Sequence, residues 1–155
     1  MTGNMSSDIF SVENKVVVVT GGCGQLGWQF VRTLIERGAR VAAFDLDPTK
    51  RRPEDLDQAG LNGGALMTVA VDVARRDSIE AGLARVNATW GTPDALINNA
   101  ALDSPPNAPA EENGPFESYP ESSWDQVMRV NSKCVFLSCQ VIGEAMAKAG
   151  GGSVL

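Results

Sequence analysis

The stretch VVVVTGGCGQLG, residues 16–27, leaves few folds open to this chain. Four β-branched residues in a row, without polar alternation, suit a strand covered on both faces, as the central strands of parallel sheets are. Thr20 and three glycines then turn that strand sharply into a helix that should begin near Gln25. Gly21 and Gly24 can accept positive φ or close backbone approach, and Gly27 lets the new helix pack against the strand. Unpaired amides and the positive end of the helix dipole favour an anion there, most often a pyrophosphate. A purely structural βαβ turn would show the same glycines, so the flanking segments carry the argument.

Those flanks fit a dinucleotide fold. The helix places Leu26, Phe30, Leu34 and Ile35 on one face, with Gly38 where a C-terminal cap belongs. A second strand over Arg40 to Phe44 ends at Asp45. This acid lies about 20 residues past the glycines, where a ribose-binding carboxylate is expected. Lys50, Arg51 and Arg52 follow, and they read as a solvated surface, because Asp45 would repel a 2′-phosphate nearby. The glycine turn contains no Arg or Lys, which favours NAD over NADP.

At 155 residues with 43% hydrophobic content, the chain fits one domain with a real core. Residues 1–11 read as a loose N-terminal segment and 12–155 as the dinucleotide-binding domain. The start, MTGNMSSDIF, is not a secretory signal and no stretch is long and apolar enough to cross a membrane, so a cytoplasmic protein is expected. A formal charge of −6 without a dense basic cluster argues against nucleic acid. Three cysteines without framework spacing suggest free thiols. Histidine is absent, which removes Ser-His-Asp and Cys-His catalysis and histidine-ligated metals from these residues. No metal site is expected.

Leu66 to Val71 reads as a third strand ending at Asp72, which either accepts from an adenine amino group or merely caps the next turn. Asp77 or Ser78 should start a helix burying Ile79, Leu83, Val86 and Trp90, ended by Gly91 and Pro93. A fourth strand over Ala95 to Asn98 runs into Asn99, Ala100 and Ala101. Of the paired asparagines, one could pin the loop while the other faces a ligand. Leu102 to Pro120, with five prolines, reads as a substrate-facing loop. Ser122 and Asp125 resemble a capping pair for a long helix, roughly Ser123 to Lys148, with Trp124, Val127 and Met128 among its apolar residues. Asn131 interrupts that apolar surface and must find partners, such as a neighbouring backbone. Gly150 to Gly152 stop the helix, and Ser153 to Leu155 look like the start of a fifth strand. A sheet stopped there would leave the fourth strand as an apolar open edge, so the sequence is expected to be a portion of a larger fold.

Together these residues resemble the short-chain dehydrogenase/reductase family. The resemblance implies a Rossmann-type doubly wound parallel sheet in three α/β/α layers, here truncated at the start of the fifth strand. TGGCGQLG looks like the family's cofactor motif, its glycine spacing nearer the extended branch. By this likeness the contacts to NAD fall on Gly21, Cys23, Gly24, Gln25, Leu26, Gly27, Asp45 and Leu46, on the adenine-contacting pair Asp72 and Val73, and on Asn99, Ala100 and Ala101. The last three resemble the NNAG motif with Ala101 replacing glycine, a departure expected to tighten the turn beside the nicotinamide ribose. Asn131 falls where the family carries the asparagine of its catalytic Asn-Ser-Tyr-Lys set. The catalytic serine and the Tyr-x-x-x-Lys are missing: the one tyrosine is Tyr119, and Ser123 stands four residues on. The implied parent is an NAD(H)-dependent enzyme interconverting alcohols and carbonyls, homo-oligomeric when full length, with this chain as its cofactor-binding part and inactive alone. The competing reading is a non-catalytic dinucleotide-binding module, or a subunit completed by another chain.

Overall fold

A computed structural model describes residues 10–51, 63–103 and 110–155. Residues 1–9 of the loose segment expected over residues 1–11, and the prolines at 105, 106 and 109, lie outside the described residues. Five strands, β1 (Val16–Thr20), β2 (Arg40–Asp45), β3 (Leu66–Ala70), β4 (Ala95–Ile97) and β5 (Ser153–Val154), form one sheet in the order β3-β2-β1-β4-β5. Every neighbouring pair is parallel, with Val17 level with Val41 on one side and with Ala95 on the other.

The valine run explains itself in this sheet. Successive side chains of a strand point to opposite faces, and here both faces are covered. Val16 and Val18 enter one core with Phe44, Val69, Ile79, Val86, Leu96, Leu137 and Ile142, while Val17 and Val19 enter the other with Trp28, Val31, Ile35, Val41 and Ala43. The first core is supplied by α2 (Arg76–Trp90) and α4 (Cys134–Lys148), the second by α1 (Gln25–Glu36). Among the described residues, two helices cover one face and one covers the other, which makes the expected α/β/α layering.

Several local expectations are corrected. In α1 the buried residues are Gly27, Trp28, Val31 and Ile35, whereas Leu26 is 69% exposed and Phe30 43%. The sheet takes the stripe at positions 28, 31 and 35, which obeys the same helical period as the stripe that Leu26 and Phe30 begin. Helix α2 starts at Arg76, earlier than Asp77 or Ser78, and its N-cap Arg75 makes no side-chain cap bond. Asp77 pairs with Arg75 instead, and Ser78 Oγ accepts from the Asp72 amide.

The long helix expected from Ser123 starts at Glu121 after Pro120, as α3 (Glu121–Met128), with no side-chain cap from Ser122 or Asp125. A five-residue π turn, Arg129–Lys133, separates it from α4. Nothing in α3 is fully buried, and Trp124 is 56% exposed; the apolar burial begins at Cys134. Finally, β4 is not an open edge. Leu155 donates its amide to Leu96 O at 2.9 Å and accepts at its own carbonyl from the Asn98 amide at 2.9 Å, so β5 occupies that edge.

Candidate functional site

The glycine turn crosses the carboxyl end of β1, between β2 and β4. Gly21 has φ of +62°, which a side chain would strain. A Cβ on Gly27 would lie 2.1 Å from Gly21 O, so the start of α1 can sit this close to the turn only without a side chain there. Gly24 is the N-cap of α1 and offers no side-chain cap, and no acid occupies the first helical turn. The helix end therefore keeps both its amides and its positive dipole for a ligand.

Thr20 clasps this turn to β4. It is 2% exposed, and its hydroxyl accepts from the Asn99 amide at 3.0 Å and the Ala100 amide at 3.1 Å while donating to Ile97 O at 3.4 Å. Asn99 returns the link by donating from Nδ2 to Thr20 O at 3.0 Å and Gly21 O at 3.1 Å. The other asparagine turns away, with Asn98 Nδ2 donating to Leu155 O at 3.1 Å and its Oδ1 buried without a hydrogen bond among the described residues. Of the two, Asn99 both pins the turn and lines the cleft described below, so the expected division of labour falls largely on one side chain.

From β2, Asp45 binds the turn on its other flank. Oδ2 accepts from the Cys23 amide at 3.1 Å and Oδ1 from the Asp47 amide at 3.1 Å. Cys23, expected among the cofactor contacts, is 2% exposed, packs under α1 and is not part of the lining of the cleft described below. Burial, and then the charge of Asp45, push its thiol up to about 11. Asp72, just past the end of β3, accepts from the Ala74 amide at 2.9 Å and also lines the cleft, so a turn cap and a place on the cleft wall belong to one side chain.

These pieces enclose a cleft of about 640 Å³ at the carboxyl ends of the strands, where ligands gather in open α/β sheets. Gly21, Gly24, Gln25, Leu26, Gly27, Asp45, Leu46, Asp72, Val73, Asn99, Ala100 and Ala101 all line it. Gln126, Arg129 and Val130 also line it and escaped the sequence reading; Leu102, the first residue of the expected substrate-facing loop, and Lys50 line it too. Lys50 belongs to the run taken as solvated surface, and the neighbouring Arg51 lies 5.5 Å over the Trp28 ring. Asn131 stays behind the cleft wall, where it grips the backbone of Leu102 in both directions: Oδ1 accepts at 2.7 Å and Nδ2 donates at 2.8 Å. The Cys134 thiol supports the same wall by donating to Ala100 O at 3.8 Å, and burial raises its pKa. A second hollow of about 590 Å³ lies by Leu34 and Ile97, and its charged residues Lys15 and Asp94 pair with each other at 2.9 Å.

Comparison with known proteins agrees with this geometry. The family model for short chain dehydrogenases matches residues 15–155. The chain is 34% identical to D-threitol dehydrogenase of Mycolicibacterium smegmatis over 94% of its length and 53% of the relative's. It is 30% identical to the NAD-dependent glycerol dehydrogenase of Listeria innocua, again over 94% and 53%. The crystal structure of gox2181 superposes with a TM-score of 0.76 at 27% identity, covering 92% of this chain and 52% of that one. The chain thus spans about half the length of the curated relatives it matches. Oxidoreductases of this kind bind a nicotinamide dinucleotide, which the uncapped helix start and the strand-end cleft suit. On the matched residues and the shared fold, this chain belongs to the short chain dehydrogenase family.

Proposed function

We propose that the protein carrying this chain is an NAD(H)-dependent oxidoreductase that interconverts an alcohol and a carbonyl, and that these residues are its cofactor-binding part. The observation that carries the reading is the cleft shared by the uncapped start of α1, the carboxylate of Asp45 and the Asn99 turn. The glycine turn would receive the diphosphate on its backbone amides. Asp45 would accept from the adenosine ribose hydroxyls and disfavour a 2′-phosphate, which selects NAD over NADP. Asp72 and Val73 would meet the adenine, and Asn99 to Ala101 the nicotinamide ribose. The bound cofactor supplies the hydride; the residues here hold and orient it.

Protonating the developing alkoxide requires an acid near the carbonyl. Within the 155 residues the one tyrosine is Tyr119, with Ser123 four residues later, so no Tyr-x-x-x-Lys is present. Asn131 alone moves no proton. Turnover is therefore assigned to the full-length protein and not to these residues by themselves. A small polyol or its ketone is the substrate class suggested by relatives named for threitol and glycerol. Titration calorimetry of the full-length protein with NAD and NADP, followed by NAD reduction assays on small polyols, tests the reading. Binding of NAD at least tenfold tighter than NADP is expected, a gap of about 1.4 kcal/mol. Absence of binding to either dinucleotide overturns it, and binding of NAD without turnover favours a non-catalytic dinucleotide-binding module.

A further inference from the structure

We infer that Asp45 is a positioning residue for the diphosphate-binding turn in addition to being a sugar contact, so that its loss weakens the grip on the diphosphate itself. The inference rests on the dinucleotide reading above. Two parallel links join the end of β2 to the turn: the Gly22 amide donates to Phe44 O at 3.2 Å, and the Cys23 amide donates to Asp45 Oδ2 at 3.1 Å. The first is backbone to backbone and survives any substitution at 45. The second depends on a side-chain acceptor at position 45.

The carboxylate is itself held from the other side, since Oδ1 accepts from the Asp47 amide at 3.1 Å. A rigid acceptor on β2 thereby fixes the orientation of the peptide between Gly22 and Cys23, while the Cys23 side chain is locked in the core beneath α1. With that peptide fixed, and with the Gly24 amide tied to Gly21 O at 3.0 Å, the uncapped amides at the start of α1 are held in one arrangement before any ligand arrives, which lowers the cost of binding. Each carboxylate oxygen has two lone pairs, so one remains on each for the ribose hydroxyls. Removing the side chain frees the Cys23 peptide to rotate and leaves its amide, and that of Asp47, without an acceptor.

The test is a double-mutant-type cycle in the full-length protein, using NAD and its analogue lacking the adenosine 2′ and 3′ hydroxyls as probes. If Asp45 only gripped the hydroxyls, Asp45→Ala would leave affinity for the dideoxy analogue unchanged. The positioning role predicts that Asp45→Ala weakens the analogue by about tenfold, the effect of one charge-assisted hydrogen bond, and that Asp45→Asn, whose single amide oxygen can serve only one of the two backbone donors, weakens it by less. Unchanged or tighter binding of the analogue by the variants overturns the inference while leaving the dinucleotide reading intact, whereas a wild-type protein that binds neither probe sinks that reading instead. A second measurement needs no variant: in the ligand-free wild type the Cys23 amide should exchange at least tenfold more slowly than an unbonded surface amide, and free exchange at Cys23 overturns the inference.

Discussion

Asn131 reads the peptide groups of Leu102 as a complementary strand would, accepting from its N–H at 2.7 Å and donating to its C=O at 2.8 Å across 29 residues of sequence. The π turn Arg129–Lys133 carries this side chain, and Leu102 lines the cleft. Helical irregularity, cleft wall and loop are therefore one mechanical unit, consistent with the tendency of π turns to sit at functional places. Asn131→Ala orphans both backbone groups and is expected to destabilise the protein by about 2 kcal/mol. Urea unfolding checks this, and Asn131→Asp, which keeps the acceptor and loses the donor, should fall between the two.

The Thr20 hydroxyl serves two amides and one carbonyl in a buried setting. Replacing it by valine keeps the volume but removes every one of these partners, at an expected cost of about 2–3 kcal/mol. Thr20→Ser should recover most of the loss. Equal stability of the valine and serine variants in chemical denaturation would show that the clasp contributes nothing.

Two glycine substitutions should act in opposite directions. A Cβ at Gly27 meets Gly21 O at 2.1 Å and Asn99 Nδ2 at 2.8 Å, so Gly27→Ala must push α1 off the turn, costing about 3 kcal/mol and most of the dinucleotide affinity. Gly143, inside α4, has open space where a Cβ would stand, with nothing within 4 Å, and Gly143→Ala should stabilise by about 0.5–1 kcal/mol through helix propensity. Thermal melts of the two variants decide both.

Asp94 links the start of β1 to the start of β4, accepting from the Val16 amide at 2.8 Å and from Lys15 at 2.9 Å. Partial burial opposes its ionisation, but the Val16 amide and the Lys15 ammonium together outweigh it and hold the carboxyl below its ordinary 3.8. A depressed folded value means the unfolded chain binds the proton more readily, so this contribution is present above that pH and is lost as acid is added below it. Acid titration of stability should show a shallower fall below pH 3.8 in Asp94→Asn than in the wild type.

The thiol of Cys23, pushed up to about 11, should resist iodoacetamide in the native state even at pH 9, where an ordinary thiol of 9.0 is half ionised. Here the folded value is raised, so the unfolded state releases the proton first and stability declines as pH rises above 9.0. Mass mapping of labelled peptides before and after unfolding checks the protection.

The sequence by itself determined the parallel sheet, the glycine turn and the acid at the end of β2, because a β-branched run, a glycine spacing and a strand length are local features whose physics acts within a few residues. It also placed Asn131 among side chains that need partners, without naming Leu102. Tertiary structure alone decided which stripe of α1 met the sheet, since positions 26 and 30 and positions 28 and 31 satisfy the same period and only packing distinguishes them. It alone brought Lys50 and Arg129 into one cleft and Thr20 against Asn99, 79 residues away. Contacts at such separations leave no periodic trace in the chain; they exist only once loop closure has been offset by the burial of the two cores.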